Sequence, residues 1–174
     1  MQKKQPMAGA RVAYVGVMIA LAMILSYLES FVPLPIGIPG VKLGIANLVV
    51  LVTLGFLSYK EVAAIDLLRI VLSGILFGSG LSLAYSLSGG ILSLILMLLL
   101  DKSRRFSLAG ISIAGGVSHN IGQIIMAALL LENKQILSYL PVLLIAGLVT
   151  GLINGAVALP VTRIIHKNYG NNLE

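Results

Sequence analysis

Leu81-Ser-Leu-Ala-Tyr-Ser-Leu-Ser-Gly-Gly-Ile-Leu-Ser-Leu-Ile-Leu-Met-Leu-Leu-Leu100 contains no charged residue, and Asp101-Lys-Ser-Arg-Arg105 follows at once. A helix rises about 1.5 Å per residue, so this run covers the ~30 Å hydrocarbon thickness of a bilayer. The basic cluster after it reads as the cytoplasmic edge of a spanning helix. Working outward, five more apolar stretches appear at residues 12–28, 43–57, 62–77, 108–131 and 140–165. Pro160 predicts a bend in the last, because proline removes a helix hydrogen bond. The expected fold is all-α: a polytopic integral membrane bundle of six transmembrane helices, one domain over residues 1–174.

Composition supports the bilayer as solvent. Hydrophobic residues make up 58% of the 174, charged residues 10%, and the mean hydropathy is +1.03. A soluble domain carries about 25% charged residues. With no cysteine there is no disulfide, thiol nucleophile or cysteine-held metal. Net charge is +6, but the basic residues lie between apolar runs rather than on a folded face. That pattern suits membrane lipid and no nucleic acid. The basic start resembles a signal peptide, yet its apolar run is long and equally apolar runs follow, so it reads as the first spanning helix.

Loop charges set the orientation. With the amino terminus inside, the inner segments hold Lys3, Lys4, Arg11, Lys60, Lys102, Arg104, Arg105, Arg163 and Lys167. The outer ones hold Lys134, with Lys42 at the outer edge. This asymmetry predicts a multi-pass protein of the cell membrane with both termini cytoplasmic.

The stretch Ser30-Phe-Val-Pro-Leu-Pro-Ile-Gly-Ile-Pro-Gly40 is apolar yet cannot be regular helix. It is expected to cap the outer face of the bundle. Below it, intramembrane polar groups mark a candidate site. Asp66 and Arg69 are three apart and share a helix face. They read either as a self-neutralising pair or as Arg69 facing a cavity, oriented by Asp66. Ser112, Gly116, His119 and Gln123 form one inward face, flanked by Asn120. Asn47 and Asn154 could reach the same space. The ligand-binding set expected is Lys42, Asn47, Arg69, His119, Asn120 and Gln123. Its basic balance suits an anionic or amphipathic ligand. The glycines and serines of the fourth and sixth stretches read chiefly as close-packing surfaces.

No catalytic residue, metal site or cofactor is expected. There is no Asp-rich DDxxD motif for diphosphate–magnesium chemistry, no GxxxxGK[ST] loop and no HExxH.

Pro39-Gly-Val-Lys-Leu-Gly-Ile-Ala-Asn47, Arg69-Ile-Val-Leu-Ser-Gly with Leu76-Phe-Gly78, Tyr85-Ser-Leu-Ser-Gly-Gly90 and Gly115-Gly-Val-Ser-His-Asn-Ile-Gly-Gln123 together resemble the Gx transporter family. That family is often described as heptaprenyl diphosphate synthase component I, and it is similar to the S components of energy-coupling-factor transporters. The resemblance runs from about Ala13 to Arg163. It implies an outward-facing ligand pocket under the loop after the first helix. It also implies a coupling subunit docked on small residues of that helix, here Gly16 and Ala20, and separate ATPase subunits. The synthase description implies instead a noncatalytic membrane partner of a soluble prenyl synthase, with an isoprenoid- or quinone-related ligand.

Overall fold

A computed structural model describes residues 8–31, 42 and 44–171. These form six α-helices and one 3-10 turn, with no strand among the described residues. In chain order they are α1 (Ala8–Ser30), α2 (Asn47–Leu54), α3 (Tyr59–Phe77), α4 (Gly80–Ser103), α5 (Leu108–Leu130) and α6 (Leu140–Asn171). The 3-10 turn Lys134–Tyr139 precedes α6.

Polar residues set the helix starts. The Glu61 carboxylate accepts from the Ser58 N–H at 2.9 Å and from the Ser58 hydroxyl at 2.6 Å, which caps α3. Ser79 and Ser107 accept from the Ser82 and Gly110 N–H groups, each at 3.2 Å, at the starts of α4 and α5. Arg104, with φ +54°, ends α4 in the left-handed region.

Four helical segments are long and apolar enough to cross a membrane: Arg11–Ser30, Gly80–Ser103, Leu108–Leu130 and Lys134–Ile165. Two of the six expected spans therefore differ from expectation. The stretch 43–57 yields only the eight-residue α2, about 12 Å long by the helix rise. The backbone before α2 is occupied by side chains from other helices, and Gly44 stands at φ +88°. The stretch 62–77 starts earlier, at Tyr59, and carries Lys60, Glu61, Asp66 and Arg69. The final helix continues through Pro160 to Asn171. The expected cap at residues 33–40 lies outside the described residues.

The exterior is apolar: Val12, Ile75, Leu129 and Ile145 are among many exposed large side chains. The interior holds Ser73, Ser93, Ser112, Ser118, Asn120 and Gln123. This inverts a soluble protein and suits a lipid surround, where small and polar residues cement helices. The short α2 lies at the centre and touches α1, α3, α4, α5 and α6. Its Val49, Val50, Leu51, Val52 and Leu54 are all buried, as expected of a helix apolar all round. Helices α4, α5 and α6 pack through backbone. A Cβ on Gly122 would fall 2.7 Å from the Ser88 carbonyl oxygen and 2.8 Å from the Gly89 Cα. Across this α4–α5 seam the Ser88 hydroxyl donates to the Gly122 carbonyl at 2.8 Å, and between α5 and α6 the Ser112 hydroxyl donates to the Gly151 carbonyl at 2.6 Å.

Basic residues gather at one end. Arg11 at the start of α1 pairs with Glu61 at the start of α3. Tyr59 donates to Asp101 near the end of α4 at 2.8 Å. The Arg11 hydrogen bonds hold the Glu61 carboxyl down at about 2. At the opposite end the ring of Tyr27 of α1 packs tilted against that of Phe77 of α3, with centroids 4.8 Å apart.

Candidate ligand-binding site

Residues 42–47 lead into α2, and the side chains of Glu29, Gln123 and Asn154, from three other helices, grip backbone polar groups there. From α1, the Glu29 carboxylate accepts from the N–H groups of Gly44 and Ile45, the latter at 3.2 Å. From α5, Gln123 pairs with Lys42 in both directions. The Lys42 N–H donates to Gln123 Oε1 at 2.8 Å, and Gln123 Nε2 donates to the Lys42 carbonyl at 2.8 Å. From α6, Asn154 Nδ2 donates to the Gly44 carbonyl at 3.1 Å. Asn47 Nδ2 donates to the Ser93 hydroxyl on α4 at 3.3 Å. Non-helical backbone in a bilayer protein needs such internal partners.

The expected site residues therefore converge, though several play a different part from the one expected. Gln123 is an amide clamp on backbone. Asn120 donates to the Leu143 carbonyl at 2.7 Å, tying α5 to α6, and its Oδ1 accepts from Gln123 at 3.3 Å. Arg69 and Asp66 are both buried and form an ion pair. Arg69 Nε reaches Asp66 Oδ1 at 3.1 Å, Nη2 reaches the same oxygen, and Nη1 faces the Ser26 hydroxyl at 3.4 Å. This is the self-neutralising arrangement, anchored additionally to α1.

His119 has no such partner. It is 2% exposed, and both ring nitrogens are buried without a hydrogen bond. A Cβ on Gly44 would lie 3.5 Å from its Cδ2, and one on Gly89 3.1 Å from its Nδ1. The ring is thus wedged between the α2 lead-in and α4. The hydroxyls of Tyr85 and Ser86, one turn along α4 from Gly89, are also buried and unpaired. Leaving such groups unpaired costs about 1–3 kcal/mol each. The charges of Arg69 and Lys42 both act at His119. Lys42 itself is half-buried. Burial lowers its ammonium pKa, Glu29 opposes that, and Arg69 adds to it.

Glu29, Ser26 and Asn154 were not in the expected set. Ala22, Ser26 and Glu29 are spaced four and three and are all buried, forming one inward face of α1. That spacing was the available signal. Among the described residues no three of His, Asp or Glu gather to hold a metal ion.

The expected docking residues lie elsewhere. Gly16 is exposed, with nothing near the position of an added Cβ, and Ala20 is exposed beside it. Ala20 borders an open groove of about 340 Å³ with Met23, Ile24, Tyr27 and Phe77.

No curated protein and no solved structure matches this chain. A family profile described as heptaprenyl diphosphate synthase component I matches residues 18–160, from the middle of α1 to the Pro160 turn of α6. With most of its length so matched, and with the four motifs inside the match, the chain belongs to the heptaprenyl diphosphate synthase component I family.

Proposed function

We propose that the chain is the substrate-binding membrane subunit of a small-molecule transporter, resembling an energy-coupling-factor S component. The observation that carries this reading is the buried polar site around residues 42–47. Side chains from α1, α5 and α6 hold an irregular backbone there, beside an unpaired imidazole and two cations. A bundle built only for packing has no need of that arrangement, whereas a ligand site does. Lys42, Asn47, Arg69, His119, Asn120 and Gln123 line or shape it, and their charge favours an anionic or amphipathic ligand. The long helices run between a basic cytoplasmic end and an outer end that carries the site, with the short α2 held among them. Gly16 and Ala20 on the exposed side of α1 face a coupling subunit, and ATP hydrolysis belongs to separate subunits. The chain itself performs no catalysis.

The family description favours a second reading, a noncatalytic membrane component of a heptaprenyl diphosphate synthase complex. Native mass spectrometry of the chain in mild detergent separates the two. A stoichiometric released metabolite is the expected result. Lipid alone, with a soluble Asp-rich synthase still attached, would transfer the assignment to the second reading.

A further inference from the structure

We infer that the Gly44 and Ile45 N–H groups form an oxyanion-binding subsite which Glu29 occupies as a resident stand-in, and that an anionic ligand group takes its place. The inference rests on the transporter reading and specifies the part of the ligand recognised there: a carboxylate or phosphate oxygen.

The argument begins with the backbone. Gly44 at φ +88° turns two successive N–H groups toward one point, and both reach the same oxygen, Glu29 Oε1. Consecutive N–H groups that converge in this way make an anion-binding concavity. Ala46, at the head of α2, offers no side-chain cap, so the positive end of α2 faces the same place.

Two further observations point to a ligand. The imidazole of His119 packs against Gly44, buried, with both nitrogens unpaired. The local charges are also poised. Asp66 offsets Arg69 through their ion pair, and Glu29 is the anion whose charge acts on Lys42. With Glu29 withdrawn, one positive charge remains for an incoming anion.

The cradle does not depend on its occupant. Gln123 holds both polar groups of Lys42, and Asn154 holds the Gly44 carbonyl. A concavity kept open by other residues is preorganised, so its ligand loses little to ordering. Glu29 belongs to the last turn of α1, one residue from its end at Ser30. Fraying that single turn withdraws the carboxylate.

The test is anion rescue. Glu29→Ala is purified in a neutral detergent, and its thermal unfolding is followed with sodium acetate, sodium phosphate or phosphatidylglycerol against sodium chloride at equal ionic strength. A saturable rise in Tm of about 3 °C or more, larger than in wild type and absent with chloride, is expected. Rescue by acetate or phosphate assigns a soluble oxyanion. Rescue by phosphatidylglycerol alone assigns the same chemistry to a lipid headgroup. No rescue by any of the three overturns the inference.

Should Glu29→Ala fail to fold, Glu29→Gln keeps an acceptor for both N–H groups while removing the competing charge. It should bind phosphate roughly five-fold or more tightly than wild type by calorimetry, because a charged acceptor holds the N–H groups about twice as strongly as a neutral one. Equal or weaker binding overturns the inference. Anion rescue in a chain that yields no bound metabolite would remove the transporter reading and keep the subsite. A bound metabolite whose affinity ignores residue 29 would do the reverse.

Discussion

Replacing Gln123 with leucine tests the clamp on the α2 lead-in directly. Leucine has similar bulk but no polar atoms, so the two 2.8 Å bonds to Lys42 disappear. A typical hydrogen bond contributes a net 0.5–1.5 kcal/mol in folded proteins, and about 0.6, at most about 1.7, between membrane helices. Removing the partner also leaves the Lys42 N–H and carbonyl unpaired, at about 1–3 kcal/mol each when fully buried. Lys42 is only half-buried, so water relieves part of that penalty. The third bond, to Asn120, is 3.3 Å and adds little. The expected loss is about 2–3 kcal/mol, or ~30–150-fold in the unfolding equilibrium. Reversible unfolding in mixed micelles reads the loss. Hydrogen exchange of the peptide covering residues 42–46 locates it, with faster exchange there and unchanged protection in α4. A loss below about 0.5 kcal/mol with unaltered exchange would refute the clamp.

Three further outcomes are expected. Arg69→Ala leaves Asp66 buried without its partner and should cost about 3–5 kcal/mol, whereas the neutral pair Asp66→Asn with Arg69→Gln should cost much less; thermal unfolding of both compares them, and equal losses would remove the ion-pair account. Gly122→Ala forces a methyl against the Ser88 carbonyl and Gly89 Cα and should destabilise by about 1–3 kcal/mol or more, read as a lower Tm and weakened α4–α5 protection. The pH prediction concerns Glu61. Its folded pKa of about 2 lies below its ordinary 4.5, so the unfolded chain binds the proton first. Its stabilising contribution is complete above pH 4.5 and disappears as pH falls toward 2. Wild type should therefore lose Tm across that window more steeply than Glu61→Gln, and parallel curves would remove the Arg11–Glu61 link from the account.

The spans of α1, α4, α5 and α6 were legible because uninterrupted apolar length maps onto bilayer thickness. The α2 region was not. Val41-Lys-Leu-Gly-Ile-Ala-Asn47 continues an apolar run, and nothing local reveals that Glu29, Gln123 and Asn154 bind its backbone. Those contacts reach across 15, 81 and 110 residues. The inward stripe of Ser112, His119 and Gln123 followed from helical period. Its use did not, since an amide aimed at a backbone and an amide aimed at a ligand have the same sequence. Asp66 and Arg69 left two readings open, and geometry favoured the ion pair because Ser26, from a different helix, occupies the third guanidinium nitrogen.

The eight residues of α2 and the two buried ions of α3 also bear on biogenesis. Asp and Arg at a helix centre each oppose translocon insertion by about 2.5–3.5 kcal/mol, and α2 is too short to hold itself in lipid. Neither segment is an autonomous insertion unit. Both segments pack against α1 and α4, so contact with those longer helices, rather than their own hydropathy, holds them in the bundle.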